Sequence, residues 1–169
     1  MTGSLKKDGT KYRDNLKKEA KKHPQHPINH GVAMQAHHVI SEKGVSLIDE
    51  IFQDKLIEFD YNLNVLDNLV FIPSTLQGAC HLGVQPHRGN HGAVVDKVMN
   101  PFVDPDKDDV PHPERYHKLV CRLVEDIARD LEFKCVKDHP LLKAKVKMEM
   151  NEISEKILNR IQNDPGSAR

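Results

Sequence analysis

The chain has 169 residues, 38% of them hydrophobic, and its 25 Lys+Arg balance its 25 Asp+Glu. That length and apolar fraction support one globular domain with its own core, and a net charge of zero names no partner by itself. Cys80, Cys121 and Cys135 are an odd number with no CxxC pair, which argues against a disulfide scaffold and makes a reducing compartment the default. No apolar run approaches transmembrane length and the first residues lack the apolar centre of a signal peptide, so neither a membrane span nor signal-dependent export is expected.

Taken in chain order, the first thirty residues carry Lys6, Lys7, Lys11, Arg13, Lys17, Lys18, Lys21 and Lys22 against Asp8, Asp14 and Glu19. Such a basic arm suits steering of nucleic acid, and it equally suits a solvated or loosely ordered terminal helix. Thr10 is placed to cap a helix running to about Lys22, with Tyr12, Leu16 and Ala20 on one side and Pro24 and Pro27 to end it. The apolar run Gln35-Ala36-His37-His38-Val39-Ile40 predicts a strand. Ser46 with Asp49 predicts a capped helix whose apolar positions are Leu47, Ile48, Ile51, Phe52 and Leu56. A polar loop from Asp60 to Asp67 leads to a second short strand, Leu69-Val70-Phe71-Ile72, stopped by Pro73.

Beyond it, Val94, Val95, Val98 and Met99 suggest a short helix ending near Asn100-Pro101, and Asp104 to Pro113 reads as an acidic, proline-rich loop. Tyr116, Leu119, Val120, Leu123, Val124, Ile127 and Leu131 form one face of an amphipathic helix. A further helix starts near Pro140 and carries Leu142, Val146, Met150, Ile153, Ile157 and Ile161. Both stripes read as core packing.

Eleven histidines are many for this length. His23, His26, His30, His112, His117 and His139 fall in loops or on helix faces without a matching partner and read as surface or satisfied polar groups. His37 and His38 differ, because adjacent strand residues point to opposite faces and cannot serve one packing purpose; one can hold a metal while the other does proton chemistry. His87 and His91, in Pro86-His87-Arg88-Gly89-Asn90-His91-Gly92, have the i, i+4 spacing that puts two imidazoles on one side of a helical turn, an arrangement for gripping a divalent ion. Three neutral imidazoles would leave coordination positions open for water or substrate, the mark of a catalytic site rather than a structural one.

The order of these segments resembles the HNH/endonuclease VII superfamily. The tripeptide Ala36-His37-His38, with Phe59-Asp60-Tyr61-Asn62 ahead of Asp67-Asn68 and the His-x-Gly-x-His spacing behind, is similar more narrowly to its AHH nucleases, over roughly residues 35 to 100. The resemblance implies an α+β, mostly helical fold: a ββα-metal core with a helical insertion, laid out as a basic arm 1–33, a nuclease core 34–101 and helical C-terminal residues 102–169. It implies that His37, His87 and His91 hold one divalent ion (Mg²⁺, Zn²⁺, Ni²⁺ or Mn²⁺), that His38 is the general base, and that Asn68 orients the base or pins the loop entering the second strand. Phosphodiester hydrolysis leaving a 5′-phosphate would follow. Gly89 and Gly92 would let the substrate backbone approach, Arg88 is a candidate phosphate contact, and His81 is placed in a supporting role near the site in preference to ligation.

The resemblance further implies a bacterial toxin, cytoplasmic in its producer, delivered to a competitor without a signal peptide and restrained by an immunity protein. The residues alone do not separate DNA from RNA; the resemblance favours DNA, and with only five Phe and three Tyr, most at apolar positions, there is no stacking platform for single strands. The competing reading is a non-catalytic, zinc-stabilised nucleic-acid-binding or interaction module.

Overall fold

The computed structural model describes residues 3–84, 111–131, 134 and 140–163. The predicted helix at 94–99, the acidic residues 104–110, and His87, Arg88 and His91 lie outside them. Helix α1 spans Lys11–Lys21, with Tyr12 and Ala20 buried. Thr10 occupies the cap position but makes no side-chain bond there; Asp8 does the capping, its Oδ1 accepting from Tyr12 N at 2.9 Å. A single 3₁₀ turn at Pro27–His30 leads into β1, Met34–His38.

Strand β1 pairs antiparallel with β2, Leu69–Pro73, in a register that sets Met34 opposite Pro73 and His38 opposite Leu69. Val39 and Ile40 leave the ladder at the end of β1 and enter the core, although Val39 N still donates to Asn68 O at 2.9 Å.

Residues 39–68 form the expected helical insertion, with a different punctuation. Ser41 caps α2 (Glu42–Ser46) by accepting from Gly44 N, and Asp49 caps α3 (Glu50–Glu58) by accepting from Ile51 N. The reading of Ser46 as cap and Asp49 as its third-position acid is therefore corrected: a carboxylate two residues before a free N–H is itself the better acceptor. Leu47 and Ile51 accordingly stay exposed, while Ile48 and Leu56 are buried.

Helix α4 covers Leu76–Leu82, α5 Pro111–Leu131 and α6 Pro140–Asn163. Helix α5 begins within the segment read as loop, which is possible because proline is tolerated in a first turn, where backbone donors lack partners in any case. Val120, Val124, Ala128 and Leu131 of α5 and Val146, Met150, Ile153 and Ile157 of α6 close over Val39, Ile40, Leu56, Phe59 and Leu63. At Gly44 a Cβ would stand 2.6 Å from Val120 Cγ1, so glycine is what lets α2 lie against α5. The chain is thus α+β and mostly helical around a small antiparallel hairpin. No helix among the described residues is long and apolar enough to cross a membrane.

Candidate active site

The hairpin turns its two histidines to different neighbours, as strand alternation requires. The His38 ring lies 4.4 Å from that of Tyr12 on α1, and His37 lies 6.2 Å from Tyr116 on α5. Tyr116 is itself fixed, since its hydroxyl donates to the Val39 carbonyl and burial holds its pKa well above the ordinary phenol range. The basic N-terminal arm is consequently no loose tail: one face of α1 is docked under the hairpin while its lysines face solvent.

His38 is 3% exposed. Its Nε2 lies 3.0 Å from Asn64 Oδ1. Burial pushes its pKa below the ordinary imidazole value, and the charge of Lys7 acts in the same direction; the Asn64 hydrogen bond and the carboxylates of Asp8 and Glu42 oppose it. Desolvation dominates, so the ring is held in the neutral form, which is the form able to accept a proton.

Asn68, 1% exposed, occupies the loop entering β2. Its Oδ1 accepts from Ile40 N at 2.6 Å and from Ser154 Oγ at 3.1 Å. Its Nδ2 donates to Ile40 O at 3.1 Å and Leu63 O at 2.9 Å. With its donors and acceptor committed in this way, Asn68 pins the end of β1 to the loop and to α6; the side chain that meets His38 is Asn64. Sequence reading missed Asn64, although three asparagines within Asn62-Leu63-Asn64-Val65-Leu66-Asp67-Asn68 were a signal that this loop is built on side-chain hydrogen bonds.

The remaining histidines divide as their surroundings dictate. His26 caps the 3₁₀ turn through Nδ1, accepting from Ile28 N at 3.2 Å, and burial lowers its pKa. His30 Nε2 bonds Pro24 O at 2.9 Å. His117 is buried with Nδ1 2.8 Å from Ser41 Oγ, a satisfied core polar pair. His81 sits in the last turn of α4 and is exposed.

Of the three expected ligands, His37 alone lies among the described residues. There no three His, Cys, Asp or Glu side chains gather closely enough to hold an ion. The donor set itself, half-buried His37 with two imidazoles spaced four apart, has the chemistry for one divalent ion of the zinc or nickel kind with coordination positions left open.

No curated protein and no solved structure matches the chain. Residues 18–164 match the family described as AHH, a nuclease family of the HNH/ENDO VII superfamily with a conserved AHH, which in this sequence is Ala36-His37-His38. With its hairpin, helical insertion and split histidine pair, the chain belongs to the AHH nucleases, enzymes of the HNH/ENDO VII superfamily that hydrolyse phosphodiester bonds.

Proposed function

We propose that this nuclease is a metal-dependent endonuclease of low sequence specificity in which His38 is the general base. The observation that carries the reading is the mounting of His38: a buried ring at the end of β1, clamped between Tyr12 and Asn64, while its neighbour His37 turns the other way. His38 takes a proton from a water whose oxygen forms the new bond to phosphorus. The bond from phosphorus to the 3′ oxygen breaks, and the departing oxygen takes a proton from solvent. His37, His87 and His91 would hold the ion, which when bound offsets charge on the scissile phosphate and the leaving oxygen. Asn68 keeps the loop behind the base in place. Arg88 is assigned to a substrate phosphate and His81 to a supporting position near the metal pair.

DNA is the substrate we favour, because the few aromatic side chains lie mostly at apolar positions and offer no platform for stacking unpaired bases; the basic face of α1 flanks the hairpin, and contacts to backbone phosphate carry little base information. Zinc and nickel suit the imidazole donors better than magnesium does, so the ion bound most tightly and the ion that gives the fastest turnover can differ. We further infer an antibacterial role: made in the producer's cytoplasm, delivered by a route needing no signal peptide, and restrained by an immunity protein.

The test is cleavage of plasmid DNA and of RNA by the wild type and His38→Ala across Mg²⁺, Mn²⁺, Ni²⁺ and Zn²⁺ with a chelator control. Loss of roughly 10²–10⁴-fold in turnover with metal binding retained is the expected result. Equal nicking by the two proteins would sink the assignment.

A further inference from the structure

Asn64 has an unusually determined orientation. Its Nδ2 donates to Lys6 O at 2.9 Å and to Asn62 Oδ1 at 3.2 Å, and its Oδ1 accepts from Asp8 N at 3.3 Å. Turning the amide over would set its NH₂ against the Asp8 N–H and its oxygen against the Lys6 carbonyl, two clashes of like groups. The oxygen therefore faces His38, and a carboxamide oxygen only accepts. Nε2 of His38 must carry the ring proton, which leaves the lone pair at Nδ1.

We propose that Asn64, set in place by the backbone of Lys6 and Asp8, is the positioning residue that holds His38 in its Nε2–H tautomer with Nδ1 free to take the proton from the attacking water. The inference rests on the assignment of His38 as the base. It gives the N-terminal segment a task in catalysis distinct from charge. Ser4 N donates to Tyr61 O at 2.8 Å and Leu63 N to Ser4 O at 2.8 Å, so residues 3–8 run alongside the Asn62–Asn64 loop as an added strand-like edge. A Cβ on Gly3 would collide with the Ile57 backbone, which keeps this edge close. The segment ends in Asp8, which both caps α1 and bonds Asn64, while α1 supplies the Tyr12 ring on His38. Lys6, Asp8 and Tyr12 all precede residue 18, where the family match begins, while His38 and Asn64 lie within it.

The test reads the ring nitrogens of ¹⁵N-histidine-labelled protein, the His38 signals being identified by their loss in His38→Ala. Wild type is expected to show His38 wholly as the Nε2–H tautomer, with that N–H protected from solvent exchange. In Asn64→Ala the protection disappears, the Nδ1–H tautomer becomes populated, and kcat per folded molecule falls about 10²-fold with KM little changed. Asn64→Gln keeps a carboxamide, whose oxygen can accept from Nε2–H while its NH₂ donates to the Lys6 carbonyl, so it retains the Nε2–H signature and part of kcat and stands as the folded comparison if the alanine variant is unstable. A wild-type His38 protonated at Nδ1 overturns the proposal. So does an Asn64→Ala protein whose stability falls while its tautomer and kcat hold. Full activity in His38→Ala overturns the base assignment instead, and the two failures are told apart because the tautomer is read without substrate.

Discussion

Asn64 and Asn68 stand four residues apart in one loop and face two different regions of the molecule. Asn68 faces the C-terminal helices, where its partners Ile40, Leu63 and Ser154 lie in a dry core with Met150 and Ile153. Asn64 faces the N-terminal segment, where Lys6 is exposed and Asp8 and Asn62 are half-buried. The same side chain therefore does different work on the two sides. Against the helices it satisfies backbone groups that have no access to water; against the N-terminal segment it aims one imidazole.

Replacing each asparagine with alanine is the sharpest way to break this contrast. Asn68→Ala strands Ile40 N, Ile40 O and Leu63 O in the interior, and each buried unpaired group costs about 1–3 kcal/mol, so a loss of roughly 3 kcal/mol or more is expected from the urea midpoint. The groups left by Asn64→Ala can turn to water, and its cost should be about 1 kcal/mol with the larger effect on turnover. Equal stability losses would mean that the two regions are not different in kind.

Much of this arrangement was legible in the sequence, and the unread part has a physical reason. Strand alternation alone separated His37 from His38, and the stripes Val120-Val124-Leu131 and Val146-Met150-Ile157 fixed the helices that cover the hairpin. Asn64, Asp8 and the His38 face of Tyr12 carry no periodicity. They meet through hydrogen bonds and a ring contact between residues far apart in the chain, joined only once the fold exists. The arm was read by its charge, and charge says nothing about which backbone carbonyl a side chain will find. Asn68 was recognised by its place before β2, but which of its two candidate tasks it performs depended on the Ile40 and Leu63 backbone groups.

A smaller effect probes the N-terminal region from its solvent side. Lys17, Lys18 and Lys21 of α1 are exposed beside the hairpin. Changing all three to Gln should leave the melting temperature nearly unchanged while weakening binding to duplex DNA at low salt. The slope of log K against log salt should flatten by about 0.9 for each lysine that had neutralised a phosphate. An unaltered slope, measured with His38→Ala protein to prevent cleavage, would place the substrate away from α1 and leave the arm its positioning role alone.

The smallest effect comes where the two regions touch. Tyr61 receives Ser4 N on its backbone carbonyl, yet its ring is 2% exposed in the core and its hydroxyl has no hydrogen-bond partner among the described residues. Burial raises the phenol's pKa far above its ordinary value of 10.0. A group whose pKa is higher folded than unfolded adds stability at pH below the unfolded value and loses it as pH rises beyond. Tyr61→Phe removes a buried hydroxyl that bonds to nothing described, so it should be neutral at pH 7 or stabilising by up to about 1 kcal/mol. Above pH 10 the wild type should fall behind the variant by up to about 1.4 kcal/mol per pH unit, because only its unfolded chain can release that proton. Lysine deprotonation affects both proteins alike, so the difference between their urea midpoints at pH 8 and pH 11 isolates this one phenol. A gap that stays constant with pH would mean that the hydroxyl reaches water in the folded protein, and that the seam between the N-terminal segment and the helical core is wetter than its packing indicates.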